Sequence, residues 1–408
     1  MMFFAFFSSQ KILEWPILRF LGLQYQPGFM DLRSILGAVE CSSRNISSPS
    51  IHDSLWEECE YIYGSTLNSL LGLLNLSTKD TTWIGWVFIA CLSIVLTSAC
   101  SKFKLELSSA SIGVLLCTLS PPIMLLVERA NFDVLIVFIV WLATFFHERV
   151  WRGVSLGLVA ISALFKFYTL PLMLFITLFF KNKFARLLSL AFTLIVGVKV
   201  VNDLKQIETD IPRILWNSFG GSSLGLYLDL KFFPTNLLFQ NVIGVLQLIF
   251  IFLVLVSFQR SRSILMSPDL GIKFTQSQTG RLQIYFIFVF LTCYFAGMNF
   301  DYRLVFLVVP CVTEAMRLHK SHFRIDWILI LAVVSVWFTL LAGNRQPFGD
   351  LAKLQPIGDL SISALVVYFI CLYYRQFSKK LPRFDKKIYE ALTFLSSRRT
   401  FFQKIKQL

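Results

Sequence analysis

Four short stretches of this 408-residue chain put ionisable side chains where an apolar sequence should carry none. Glu128-Arg129-Ala130-Asn131-Phe132-Asp133 lies between the apolar runs Ile112 to Val127 and Val134 to Phe146. Lys166 interrupts another such run, and Asp31-Leu32-Arg33 and Asn299-Phe300-Asp301-Tyr302-Arg303 stand at the edges of further ones. A charge at bilayer depth costs several kcal/mol unless it is paired or faces a wet cavity, so each stretch is a candidate functional position. Asp31 is the candidate proton acceptor. A carboxylate set against apolar walls at a membrane surface can gain enough basicity to take a proton from a substrate hydroxyl. Arg129, Lys166 and Arg303 offer a second chemistry, because cations on the side of a membrane that disfavours them need anionic partners, and a lipid-linked phosphate is one. The structural alternative pairs Arg129 with Glu128 or Asp133, and Arg303 with Asp301, as plain ion pairs.

The neighbouring residues carry weaker signals. Asn131 or Asp133 could cap the helix whose first apolar turn begins at Val134. Tyr168, Tyr302, Trp216 and Tyr227 could stack on a sugar ring, or belong to the aromatic belt of a membrane interface. The four His residues are scattered, and no His or Cys spacing forms a metal-ligand set. No phosphate-cradling Gly-rich loop and no ATP-binding motif occurs, so no cofactor is expected and the energy for a reaction would arrive with the substrate.

The elements that must position these residues are apolar helices. With 56% hydrophobic residues, 42 Phe, 15% charged residues and a mean hydropathy of +0.67, the chain reads as an all-α polytopic membrane protein. The net charge of +14 falls mostly in short loops and in the last stretch of chain. It reads as a topology signal, and no nucleic-acid partner is implied. Apolar runs occur near 82 to 100, 108 to 127, 132 to 147, 153 to 180, 185 to 202, 236 to 257, 282 to 298, 304 to 316, 325 to 342 and 360 to 374. No clean first transmembrane helix precedes them: Ile12 to Leu23 is interrupted by Glu14, Pro16 and Arg19. The segment also lacks the form of a cleavable signal peptide.

The run 153 to 180 decides the topology. As one helix it would span roughly 42 Å, against a hydrocarbon core of about 30 Å, and Lys166 with Pro171 breaks its middle. Two short helices meeting at Lys166-Phe167-Tyr168 are expected instead. That choice places Lys102 and Lys104, Arg149 and Arg152, Lys181 to Arg186, Arg260 to Arg281, Arg317 to Arg324 and the tail from Arg375 on one side. The loop 24 to 80, Glu128 to Asp133, Lys166, the loop 203 to 235, Asn299 to Arg303 and the loop 344 to 359 then share the outer face. The positive-inside rule is met at nearly every loop, with about eleven clear segments and a doubtful first one. The domain division is residues 1–380, a multi-spanning unit including the outer loop 24–80, and 381–408, a basic cytoplasmic tail. Within the outer loop, Ser65 to Leu76 carries Leu67, Leu70, Leu71 and Leu74 at helical spacing, as an amphipathic helix on the membrane surface would. Cys41 and Cys59 share that loop and are either a disulfide or free thiols.

An ordered set of motifs carries a family resemblance. Ser120-Pro121-Pro122, Glu128 to Asp133, the run from Gly153 ending in Phe165-Lys166-Phe167-Tyr168-Thr169-Leu170-Pro171, Asn299 to Leu304 and Phe29-Met30-Asp31-Leu32-Arg33 together resemble the multi-spanning glycosyltransferases of the GT-C superfamily, especially glycosyltransferase family 87. Ala130 stands where that family usually has Gly, and Phe167 and Thr169 where Pro is common. The resemblance implies a GT-C-like bundle of about 11–12 membrane helices with an outer-face active site. It implies a polyprenyl-phosphate-linked sugar donor, a glycan or glycolipid acceptor, and a general base that maps onto Asp31. Metal-independent inverting transfer would follow, with Arg129, Lys166 and Arg303 stabilising the leaving phosphate. Arg33, Asn131, Asp133, Tyr168, Asp301 and Tyr302 complete the expected substrate-binding set. A multi-pass protein of a bacterial cytoplasmic membrane is the implied setting. The competing expectations are a transporter or flippase of lipid-linked saccharide, against which no inverted repeat is visible, and a non-catalytic membrane subunit.

Overall fold

The computed structural model describes residues 29–43, 65–100, 109–147, 151–180, 182–207, 218–219, 249, 277–295, 299–320, 327–341 and 355–378. The N-terminal stretch to Leu23, residues 24–28 and 44–64 of the outer loop with Cys59, the positions of Trp216 and Tyr227, the run 236–257 apart from Ile249, and the tail 381–408 lie outside them. The described chain is helical: α1 Met30–Ser43, α2 Ser65–Leu73, α3 Thr81–Cys100, α4 Ser109–Thr118, α5 Pro121–Glu128, α6 Asp133–Phe145, α7 Arg152–Phe165, α8 Leu170–Thr177, α9 Lys183–Ile207, α10 Gln278–Phe295, α11 Val305–Lys320, α12 Trp327–Leu341 and α13 Gln355–Ser378. The exception is a two-residue antiparallel ladder in which Ser218 pairs with Phe300 and Phe219 with Asn299.

Three helical stretches, Thr78–Cys100, Ser111–Glu128 and Lys183–Asp203, are long and apolar enough to cross a membrane. Helix α9 is the clearest, because Phe184, Leu187, Leu188, Leu194, Ile195 and Val198 are all exposed, an apolar surface suited to lipid and not to water. Shorter apolar helical stretches of 10–17 residues lie in α6, α7, α8, α11, α12 and α13. Long and short helices pack into one core in which α3 lies against α6, α6 against α7, and α10 against α11 and α6. Phe132 ties this core to the charged turn: its ring meets Phe88 of α3 at 5.4 Å and Phe165 of α7 at 5.9 Å, both edge-on.

Two breaks shape the centre of the bundle. The run read as one segment over 108 to 127 divides at Leu119-Ser120, with Pro121 and Pro122 opening α5. Proline fits a first helical turn, whose amides have no intrahelical acceptor, but cannot continue a preceding helix. The run 153 to 180 divides as expected. Helix α7 ends at Phe165, Lys166 is extended (φ −147°, ψ 121°), a 3₁₀ turn covers Phe167–Thr169, and α8 follows with proline in its first turn. Helix α2 forms within the stretch Ser65 to Leu76 where a helix was expected. Its Leu67 and Leu71 are buried, and it packs on α1, leaving Leu70, Leu73 and Leu74 outside.

Candidate functional site

The site grows from the way α5 stops. The Ala130 amide donates to the Val127 carbonyl and the Asn131 amide to Leu126, with Ala130 in the left-handed region at φ 44°. This is the paired-bond helix ending in which glycine is usual, and Ala130, fully buried, occupies the glycine position at a steric cost. The turn leaves the backbone carbonyls of Glu128 and Arg129 facing the start of α1. Phe29 donates its amide to Glu128 at 2.9 Å and Leu32 to Arg129 at 3.4 Å, so the orphan amides of one helix meet the orphan carbonyls of another. Phe29, itself at φ 62°, lays its ring on Gly85 of α3.

That joint delivers Asp31 into the charged turn. Arg129 Nε reaches Asp31 Oδ1 at 2.5 Å, and Asn131 Nδ2 donates to Oδ2. Asn131 is the bridge, because its Oδ1 accepts both the Asp133 amide at 2.9 Å and Lys166 Nζ at 3.1 Å. The expected helix cap is therefore an Asn131 turn. Phe132 holds the cap position of α6 without a side-chain bond. Beyond the bridge stands Asp133, whose side chain is wholly buried. Lys166 Nζ lies 2.6 Å from its Oδ1 and Arg303 Nε 3.2 Å from its Oδ2, while the Tyr168 hydroxyl donates to Oδ1. Arg303 also covers the Tyr168 ring, 5.2 Å from its centroid.

Seven of the residues singled out in the sequence thus form one network: Asp31, Arg129, Asn131, Asp133, Lys166, Tyr168 and Arg303. The described ion pairs reach across the chain, and the expected pair of Arg303 with Asp301 falls on a side chain outside the described set. Arg129 takes Asp31, and Arg303 takes Asp133 across 170 residues. Tyr168, 1% exposed and edge-on to Phe306 at 5.6 Å, is a buried member of the network with no face open to a sugar ring. Arg33 is exposed at the same end of α1. Asp301 and Tyr302 supply the backbone of the 3₁₀ turn Asp301–Leu304 that presents Arg303. Their side chains lie outside the described set.

Exposure divides the network. Side chains of Arg129, Arg303 and Asp31 retain 25%, 16% and 13% of their surface, whereas Lys166 keeps 7% and Asp133 none. The first three can meet a ligand, and the last two hold the arrangement together.

Two features escaped the sequence reading. Glu314, fully buried in α11, accepts Gln283 Nε2 at 3.1 Å and the Tyr368 hydroxyl at 2.5 Å. A lone carboxylate in the apolar run 304 to 316 was the available signal. The other is a Ser65, Lys199 and Asp203 cluster joining α2 to α9. Among the described residues no group of His, Cys, Asp and Glu could hold a metal ion. Cys41 is disulfide-bonded, while Cys91, Cys100, Cys117, Cys293 and Cys311 are thiols outside any disulfide.

No family model, curated protein or solved structure matches the chain.

Proposed function

We propose that the chain is a membrane glycosyltransferase that moves a sugar from a polyprenyl-phosphate donor to a hydroxyl of a glycan or glycolipid acceptor on the outer face, without a metal. The observation that carries this reading is the meeting, within an apolar bundle, of a partly accessible carboxylate with two partly accessible arginines. Each Asp31 oxygen already accepts one hydrogen bond and keeps a second lone pair. An acceptor hydroxyl passes its proton to that carboxylate as its oxygen bonds to the anomeric carbon. The bond from that carbon to the phosphate oxygen breaks, and the lipid phosphate leaves with the electron pair, inverting the centre. Arg129 and Arg303 are placed to take the growing charge on the phosphate, a contribution of about 3 kcal/mol for a well-aimed donor in a water-poor site. Lys166 and Asp133 fix Arg303 and Asn131. In the membrane frame, about eleven spans put this site outside and the basic tail inside.

The pairing of Asp31 with Arg129, and of Asp133 with Lys166 and Arg303, favours a second reading, a non-catalytic subunit in which the same network only locks the helices. The two are separated by offering the purified protein a panel of radiolabelled polyprenyl-phosphate sugars, with Asp31→Asn beside it and chelator present. Label that reaches an acceptor, survives chelator and is lost in Asp31→Asn supports the transferase. No transfer from any donor by folded protein removes it.

A further inference from the structure

The joint between α2 and α9 carries two buried oxygens that no described residue serves. Asp203 is 6% exposed; its Oδ1 accepts the Ser65 hydroxyl at 3.0 Å and Lys199 Nζ at 2.8 Å, while its Oδ2 is buried and has no hydrogen-bond partner. Asn68 Oδ1 is likewise buried and unbonded. Asn68 follows Ser65 by one turn of α2 and so shares its side of the helix. Burying an acceptor without a donor is costly, and native chains seldom do it without a ligand or water to supply the proton.

The charges restrict what that ligand is. Lys199 already neutralises Asp203 through an ion pair one helical turn long, which gives a further cation little to gain, and the carboxylate repels an anion. Beyond water itself, what two such acceptors suit is a neutral molecule rich in hydroxyl donors. Lys199 keeps 46% of its side-chain surface, so the cluster has an open edge at that residue. Position points the same way. Gly197 of α9 lies against Leu170, its Cβ direction 3.7 Å from that side chain, so α9 passes the start of α8 between one and two turns before it reaches Asp203.

The geometry points to a sugar-binding subsite formed by Asn68, Lys199 and Asp203, where ring hydroxyls donate to Asp203 Oδ2 and Asn68 Oδ1. Its role as the acceptor-glycan subsite rests on the transferase reading; the binding chemistry does not. The full chain, purified in lauryldimethylamine oxide to avoid sugar headgroups, is titrated with octyl glucoside, octyl galactoside and octyl mannoside, and with octyl tetraethylene glycol as the tail-only control. At least one glycoside binds more tightly than the control, and Asp203→Asn and Asn68→Ala each weaken it about tenfold, the loss of one good hydrogen bond in a dry site, without changing the control. Asn68→Ala guards against the chance that Asp203→Asn loosens α9. Glycosides that bind no better than the glycol, or variants that bind them as the parent does, overturn the site. Glycoside binding that disappears in the variants of a chain that transfers no label upholds the site and refutes the transferase.

Discussion

Asp133→Asn tests the heart of the network. The substitution keeps size and shape but removes the charge faced by Lys166 at 2.6 Å and Arg303 at 3.2 Å, and it turns an amide donor toward one of them. Taking one partner from a buried ion pair costs roughly 3–5 kcal/mol, because the remaining charge stays out of water without compensation. Against a typical total of about 5–15 kcal/mol, that is a large share. Membrane chains often unfold irreversibly, so the practical readout is the apparent melting midpoint in detergent, followed by tryptophan fluorescence at one scan rate. A fall of roughly 5–10 °C is expected for a loss of that size. Lys166→Met should cost less, since Asp133 keeps Arg303 and the Tyr168 hydroxyl. The double variant should recover part of the Asp133→Asn loss, with a coupling of at least about 1 kcal/mol. An Asp133→Asn midpoint equal to the parent, or strictly additive effects in the double variant, would falsify the idea that this ion cluster holds the helices together.

Gly85→Ala reaches the site from a distance. A Cβ there would sit 2.5 Å from the Phe29 ring, so the ring must move, and with it the amide that anchors α1 on Glu128. The expected cost is about 1–3 kcal/mol, visible as a lower midpoint, and Phe29→Ala in the same chain should restore part of it. No change in midpoint for Gly85→Ala alone would count against this contact. At Ala130, glycine relieves a left-handed strain of about 1 kcal/mol but loosens the unfolded chain by nearly as much, so Ala130→Gly should melt within a degree or two of the parent. Ala130→Val should lose more than about 2 kcal/mol, because a β-branched residue is forced into the same buried turn; a Val variant as stable as the parent would contradict the observed backbone.

The break at Lys166 was legible because an ionisable residue and a proline interrupted a run too long for one membrane crossing. The same reasoning applied to Ser120-Pro121-Pro122, where the run's ordinary length hid an equally firm break. Candidate site residues were legible by type, since a charge in an apolar sequence announces itself. Their pairing was not. Sequence neighbours invite pairing, yet Arg129 and Asp133 point to opposite ends of the network because the left-handed turn at Ala130 redirects the chain between them. Nothing local in Asn299 to Leu304 announces that Arg303 meets Asp133. Glu314 and Asp203 show the complementary failure, single acidic residues in long helices that look incidental until burial is known.

The seam between α1 and α5 is built from main-chain atoms on both sides, Phe29 to Glu128 and Leu32 to Arg129. Such a seam does not read side chains. It behaves like a splice that makes two short rods one, with the positive pole of the first set on the negative pole of the second and both poles screened from lipid. The polar inventory at positions 31, 33, 129 and 131 can then be exchanged as a cassette while the geometry that presents it stays put. A library randomised at those four positions, leaving Phe29, Gly85 and Ala130 untouched, would sample new reactivity on an unchanged frame.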